Sequence, residues 1–213
     1  MNESPLAGVV VAGGLSRRMG QDKRRLRLWG WDDRTLLEHT VALLATLCTE
    51  VIVVLNDADD WQQLSVRLVA DVYPDSGPLG GIYSGLNAAQ HEHALVVAAD
   101  MPLLNPALLR WMIAQPRDYD VLVPRLADAS RARNRLGVES LHAIYSRACL
   151  EPIRRQLDAG NPQVIGFFSE VRVHLVDPDT IAQFDPNGDS FRNVNTPDEL
   201  ELVRRLLQQS AGE

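Results

Sequence analysis

The chain is poor in cysteine and in aromatic residues, and most familiar catalytic signatures are missing from it. Only two cysteines, Cys48 and Cys149, occur in 213 residues. They stand far apart, with no Cys-x-x-Cys or Cys/His spacing, so a structural zinc site is not expected. Buried free thiols fit a reducing compartment. Aromatic residues make up 6% of the chain, and Trp29, Trp31, Trp61 and Trp111 follow no regular spacing that would make a stacking stripe. No apolar run approaches a membrane span. Residues 1–5 are polar and acidic rather than a basic flank and apolar core of a signal peptide. The expectation is a cytoplasmic protein that engages no membrane. A net charge of −7 argues against nucleic acid as a partner.

Catalytic signatures are absent in the same way. Ser16 lies in no Gly-x-Ser-x-Gly elbow. His39, His91, His93 and His174 show no triad pattern, and His142, set among apolar neighbours, reads as a core histidine. There is no Gly-Lys-Ser/Thr to close a P-loop, and no Gly-x-Gly-x-x-Gly dinucleotide fingerprint.

What is present begins at residue 12. The apolar run Leu6 to Val11 reads as a buried strand, and it opens into Ala12-Gly13-Gly14-Leu15-Ser16-Arg17-Arg18-Met19-Gly20-Gln21-Asp22-Lys23. Glycines allow a tight path and a close backbone approach. Arg17, Arg18 and Lys23 can add charge-assisted hydrogen bonds to an anion held by the backbone amides. Basic residues cluster around this loop (Arg17 to Arg27) and again at Arg125, Arg131, Arg133 and Arg135. Such local patches on an acidic protein suit a small anion, although a solvated charge run accounts equally well for the second cluster.

Valine-rich runs at Val51–Leu55, Ala94–Ala98 and Val121–Val123 read as further strands buried on both faces. Helical spacing runs through Leu36–Leu47, Leu79–Gln90 and Pro106–Ala114, the last with Asn105 as N-cap. Strand–helix alternation predicts an α/β, doubly wound, mostly parallel sheet with right-handed crossovers. Ligands in such sheets bind beyond the carboxyl ends of the strands. Residues 125–137 break the pattern as a basic loop over the substrate side. A strand over 140–145, a helix over 146–159 and a strand over 171–176 follow. Residues 177–192 look irregular, and Thr196-Pro197-Asp198-Glu199 opens a final helix. No linker marks a boundary, so residues 1–213 read as a single domain.

Three constellations accompany the first loop. Asp100, directly after the run 94–99 and before Met101-Pro102, places a carboxylate on the same sheet rim, where it could hold magnesium beside a triphosphate. Asp71 and Asp75 flank another strand end, followed by Gly77-Pro78-Leu79-Gly80-Gly81. This segment suits either a ligand at a helix N-terminus or an ordinary turn. Asn193 and Asn195 alternate on an extended segment and face one way. They could read a heterocycle or a phosphate, or be plain loop asparagines.

Together these segments resemble the molybdenum cofactor guanylyltransferases, a family of nucleotidyltransferases with a Rossmann-like, nucleotide-diphospho-sugar transferase-like fold. The matching motifs are Val11 to Lys23, Gly77 to Gly81, Asp100 to Pro102 and Asn193 to Pro197, in order and along nearly the whole chain. The resemblance implies transfer of GMP from GTP to the terminal phosphate of molybdopterin or molybdenum-molybdopterin, with release of pyrophosphate and Mg2+ as cofactor. It implies a nucleotide-binding part over about 1–124 and a pterin-binding part over about 125–213. By resemblance, Val11, Ala12 and Gly13 contact the nucleotide, Lys23 the phosphates, Asn56 and Asp71 the guanosine, and Asp100 the magnesium. Arg18, Gly77, Gly81, Asn193 and Asn195 match positions implicated in catalysis or pterin binding, so that Lys23, Arg18 and Asp100 form the expected catalytic set. Handover contacts with cofactor-synthesis or acceptor enzymes are implied as well. Departures are Val11 for the usual leucine, His142-Ala143 for His-Pro, and Asn161-Pro162-Gln163 for a basic pair. The competing readings are a molybdopterin cytidylyltransferase or sugar-phosphate nucleotidyltransferase, and a non-catalytic nucleotide-sensing or delivery module.

Overall fold

Short, largely apolar segments form the centre of the computed structural model, which describes residues 5–13, 22–132 and 134–210. They are β1 (Ala7–Val11), β2 (Glu50–Val54), β3 (Arg67–Val69), β4 (His93–Ala98), β5 (Val121–Pro124), β6 (His142–Ser146) and β7 (Val173–Val176). They make one seven-stranded sheet of order β3-β2-β1-β4-β6-β5-β7. Only β6 runs against its neighbours, pairing antiparallel with both β4 and β5, while β1 is parallel to β2 and β4. The mostly parallel α/β sheet expected from the valine runs is what the chain forms.

Helices cover both faces, as a sheet buried on two sides requires. The helices α1 (Leu36–Ala45), α3 (Pro106–Ile113) and α5 (Pro178–Ala182) pack on one face. Their Leu37, Leu44, Leu108, Met112 and Ile181 meet Val10, Val53, Val97 and Ile144. On the other face α2 (Gly77–Ala88) and α4 (Leu150–Asp158) bring Leu79, Ile82, Leu86 and Ile153 against Val9, Val96 and Tyr145. The last helix, α6 (Pro197–Ser210), forms a separate cluster, its Leu200, Val203 and Leu207 lying against Leu26, Leu28 and Trp29.

Local signals set the helix ends. Asn105 Oδ1 accepts from the amides of Ala107 and Leu108 at 2.8 and 3.2 Å, the expected cap before Pro106. Two elements escape the sequence pattern. β3 is a three-residue edge strand, too short to show a period, and α5 lies inside the stretch read as irregular.

Glycines in α2 serve close packing on β1. A Cβ at Gly81 would come within 2.6 Å of Val11 Cγ1, and one at Gly85 would strike Val9. The helix therefore rides directly on the strand that leads into the first loop. This gives Gly81 a packing role that the turn-or-ligand reading of its segment did not contain.

Candidate active site

The strand order reverses between β1 and β4: the chain runs outward through β2 and β3, then returns to the other side of β1. A crevice forms at such a switch point, beyond the carboxyl ends of the strands. Here it is a cavity of about 1160 Å³. Val11, Ala12 and Gly13 enter it from the end of β1, Asn56 from beyond β2, Asp71 from beyond β3, and Asp100 from beyond β4. Gly77 and Gly81 at the start of α2, Lys23, and Asn193 and Asn195 before α6 complete this end of the lining. Arg18 lies outside the described residues, as do Arg17 and Arg133. The reversal of β6 decides the rest. Because β6 runs the other way, its N-terminal end, not its C-terminal end, meets this rim. The β5–β6 connection, residues 134–141, and residues 162–165 thus wall the opposite end of the cavity.

At the centre stands a three-way contact. Lys23 Nζ donates to Asp100 Oδ2 at 2.6 Å and to Asn195 Oδ1 at 2.7 Å. These residues are 77 and 172 positions apart in the chain, so only tertiary structure joins them. Each is held by its own element. The Asp100 carbonyl accepts from Val194 N at 2.9 Å, tying the asparagine segment to the end of β4. Glu199 Oε2 accepts from the amides of Asn195 and Thr196 at 2.7 and 2.9 Å, while Thr196 Oγ1 accepts from Glu199 N. This is a capping box, and it fixes the Asn195 backbone as well as the helix. The Thr-x-x-Glu pattern marked the cap in the sequence; its grip on Asn195 was not visible there.

Asp71 is equally well seated. Its amide donates to Asn56 Oδ1 at 2.9 Å. Its Oδ1 accepts from Tyr73 N at 3.0 Å and lies 2.9 Å from Ser84 Oγ, which also reaches the Gly80 carbonyl. A Cβ at Gly80 would meet the Tyr73 carbonyl at 2.7 Å, so glycine is what allows this turn to sit on α2. Asp75 and Gly77 both take positive φ in the connecting turn.

The basic run after the loop behaves differently from its sequence reading. Arg24 is bonded to Asp22 and Asp57, and Arg25 faces Asp60 at 3.3 Å. In the second cluster, Arg125 is paired with Asp177 at 2.6 Å and Arg131 donates to the Gly188 carbonyl at 3.0 Å. These cations are bonded within the protein; Asp22 is a local partner, whereas Asp57, Asp60 and Asp177 come from distant segments. Asp57 is a cavity residue that sequence reasoning missed. Arg24 holds it below the usual carboxylate range by hydrogen bonding, against burial.

The cavity lining holds no histidine among the described residues. His142 is fully buried in β6 instead, with neither ring nitrogen hydrogen-bonded among the described residues, and burial lowers its pKa to about 4. Both cysteines are free thiols pushed up to about 12 by burial. No helix among the described residues is long and apolar enough to cross a membrane.

Known proteins resemble this chain in sequence and fold. Residues 8–173 match the family model of the MobA-like NTP transferase domain. A relative from Chloroflexus aggregans named "Probable molybdenum cofactor guanylyltransferase" is 46% identical over 204 residues, covering 95% of each chain. A "Molybdenum cofactor guanylyltransferase" from Desulfosudis oleivorans is 33% identical over 95% of this chain and 96% of its own. Among solved structures, a molybdopterin-guanine dinucleotide biosynthesis protein A from Archaeoglobus fulgidus superposes with a TM-score of 0.78 at 22% identity, covering 96% of this chain and all of its own. A 2-C-methyl-D-erythritol 4-phosphate cytidylyltransferase from Thermus thermophilus shares the fold with a TM-score of 0.67 at 20% identity, over 96% of this chain and 99% of its own. The chain belongs to the MobA-like NTP transferases and is a nucleotidyltransferase of the molybdenum cofactor guanylyltransferase family.

Proposed function

We propose that this protein transfers GMP from GTP to the terminal phosphate of molybdopterin, free or carrying molybdenum, with Mg2+ as cofactor. The observation that carries the reading is the convergence of Lys23, Asp100 and Asn195 at the switch point, on the rim that Ala12 and Gly13 share.

The donor chemistry suits the metal. Magnesium takes one or two carboxylates and completes its shell with water and phosphate oxygens. Asp100 offers a hard carboxylate whose Oδ1 has no hydrogen-bond partner among the described residues. Bound there, the ion would neutralise charge on the triphosphate.

The chain's own residues do the rest. An acceptor phosphate monoester has a second pKa of about 6 and is mostly dianionic at neutral pH, so its oxygen attacks without a general base. That agrees with a lining free of histidine. The attack forms an oxygen–α-phosphorus bond and breaks the bond from the α-phosphorus to the bridging oxygen, and the pair of electrons leaves with pyrophosphate. Lys23 supplies positive charge where the leaving group gains negative charge. Ala12 and Gly13 bring backbone close to the nucleotide, and positioning lowers the entropic part of the barrier.

For the base, Asp71 is an acceptor-only group when ionised, and its Oδ2 has no partner among the described residues. Guanine presents adjacent N–H donors on its pairing edge, whereas cytosine presents an acceptor beside its amino group. A seated carboxylate therefore favours guanine. The residues at 134–141 and 162–165 form the acceptor side, the pterin-binding part of the chain, with contacts to cofactor-synthesis or acceptor enzymes at handover. Pyrophosphate release measured with GTP, CTP and ATP, each with magnesium and molybdopterin, tests the assignment. GTP alone should support rapid release; equal or faster release with CTP overturns the guanine reading.

A further inference from the structure

A guanidinium carries five N–H donors, and in Arg24 each of them is used. Its Nε donates to Asp22 Oδ1 at 2.9 Å and shares Oδ2 at 3.2 Å. Nη1 donates to Asp57 Oδ1 at 2.7 Å and to the Ala12 carbonyl at 3.2 Å. Nη2 donates to Asp22 Oδ2 at 2.8 Å and also to Asp57 Oδ2. The side chain is 11% exposed, and its Cζ lies 5.4 Å from the ring centroid of the buried Trp61. A guanidinium committed in this way has no fork left for a phosphate. Its acceptors belong instead to three segments of the nucleotide wall: the end of β1, the turn that carries Lys23, and the loop after β2 beside Asn56.

The electrostatic consequence is as pointed as the geometric one. Arg24 and Asp57 both line the cavity. Asp57 in the lining, and Asp22 on the same guanidinium, would repel a triphosphate if left uncompensated, and such repulsion is stronger at a protein surface than in bulk water. Arg24 offsets that charge from within the wall.

We propose that Arg24 is a positioning residue for the nucleotide triphosphate, pinning Ala12 and Asp57 to the Lys23 turn and cancelling the charge of Asp22 and Asp57 so that a polyanion is admitted. The proposal rests on the nucleotide-transfer reading above, and its experiment separates the two. Magnesium-GTP affinity is measured by titration calorimetry, and turnover by pyrophosphate release. Arg24→Met should weaken GTP binding at least tenfold, because the charges of Asp22 and Asp57 then go uncompensated in the cavity wall. The triple variant Asp22→Asn/Arg24→Met/Asp57→Asn should return to within threefold of wild-type affinity yet keep a kcat at least tenfold low, since the repulsion is gone but the staple is still lost. Arg24→Lys keeps the charge without the fork, so it should bind GTP within threefold of wild type and turn over slowly; it also serves if Arg24→Met does not fold. A merely structural role would move melting temperature without restoring affinity on charge removal. Arg24→Met binding GTP within twofold of wild type, or a folded triple variant as weak as Arg24→Met, overturns the charge role. Wild-type kcat in the triple variant overturns the pinning role. A wild-type protein that binds GTP but releases no pyrophosphate overturns the proposed reaction and leaves the binding comparison standing; one that binds no nucleoside triphosphate overturns both.

Discussion

The two ends of the cavity are built to different standards. At the end proposed for the nucleotide, Lys23, Asp71, Asp100 and Asn195 each have hydrogen-bonded support from a strand end or helix cap. At the end proposed for the acceptor, Arg135 and Gln163 are exposed side chains on connections. Support there goes to the backbone: Asn134 accepts from the amides of Leu136 and Val138 and donates to the Val138 carbonyl at 2.7 Å. A triphosphate must be held in line with fixed charges, which favours rigid strand ends. The proposed acceptor can be met by exposed side chains on a braced turn.

The largest test of this contrast is Asp100→Ala. It removes the carboxylate that would seat magnesium, and magnesium-dependent turnover should be abolished; a purified variant with a near-normal rate counts against the whole nucleotide end. Lys23→Ala should cost about 2–4 kcal/mol of transition-state stabilisation, as loss of an electrostatic donor does. Single-turnover rates of wild type and variant measure this, and equal rates refute the role.

Stability offers a test next to the acceptor end, in β6. His142 has its pKa lowered to about 4 by burial, whereas an unfolded histidine titrates near 6.5. Between those values the unfolded chain binds the extra proton and the folded chain does not. Stability is therefore lost as pH falls from about 6.5 towards 4, by up to roughly 3 kcal/mol from this residue. Denaturant melts of wild type and His142→Leu across that window should diverge by this amount, and parallel curves would show that the imidazole titrates alike in the folded and unfolded states.

Gly85→Ala sharpens the contrast in another way. The new methyl would strike Val9, and overpacking of this kind costs about 1–3 kcal/mol. Thermal melting should fall, and the Val9→Ala/Gly85→Ala pair should recover most of the loss while KM for GTP stays unchanged. Smallest of all is Arg135→Ala. Losing one exposed charge at the acceptor rim should raise KM for molybdopterin by a fewfold, about 1 kcal/mol or less for a solvent-screened contact, with KM for GTP unmoved. A change in the GTP constant instead would erase the division between the two ends.

Legibility in the sequence follows the same division. The nucleotide end was readable because its chemistry sits in contiguous motifs at strand ends, where valine runs give way to glycine or aspartate. Arg24 was read as part of a basic cluster suited to a small anion; its pairing was not visible, because Asp57, one of its partners, lies 33 residues away. The short β3 showed only as the strand end beside Asp71, α5 was invisible to periodicity, and Gly81 and Gly85 gave no sign of the strand valines against which they pack.

By itself the sequence determined an alternating α/β chain, the rim on which ligands bind, and the residue types of the nucleotide site, since burial on two faces demands apolar strands and leaves polar chemistry to their ends. The tertiary structure alone decided the rest. It brought Asp100 and Asn195 to one lysine nitrogen, reversed β6 so that a connection walls the acceptor end, and spent the charge of Arg24 inside the wall. Those outcomes depend on pairing between residues far apart along the chain, and local propensity holds no record of such pairing.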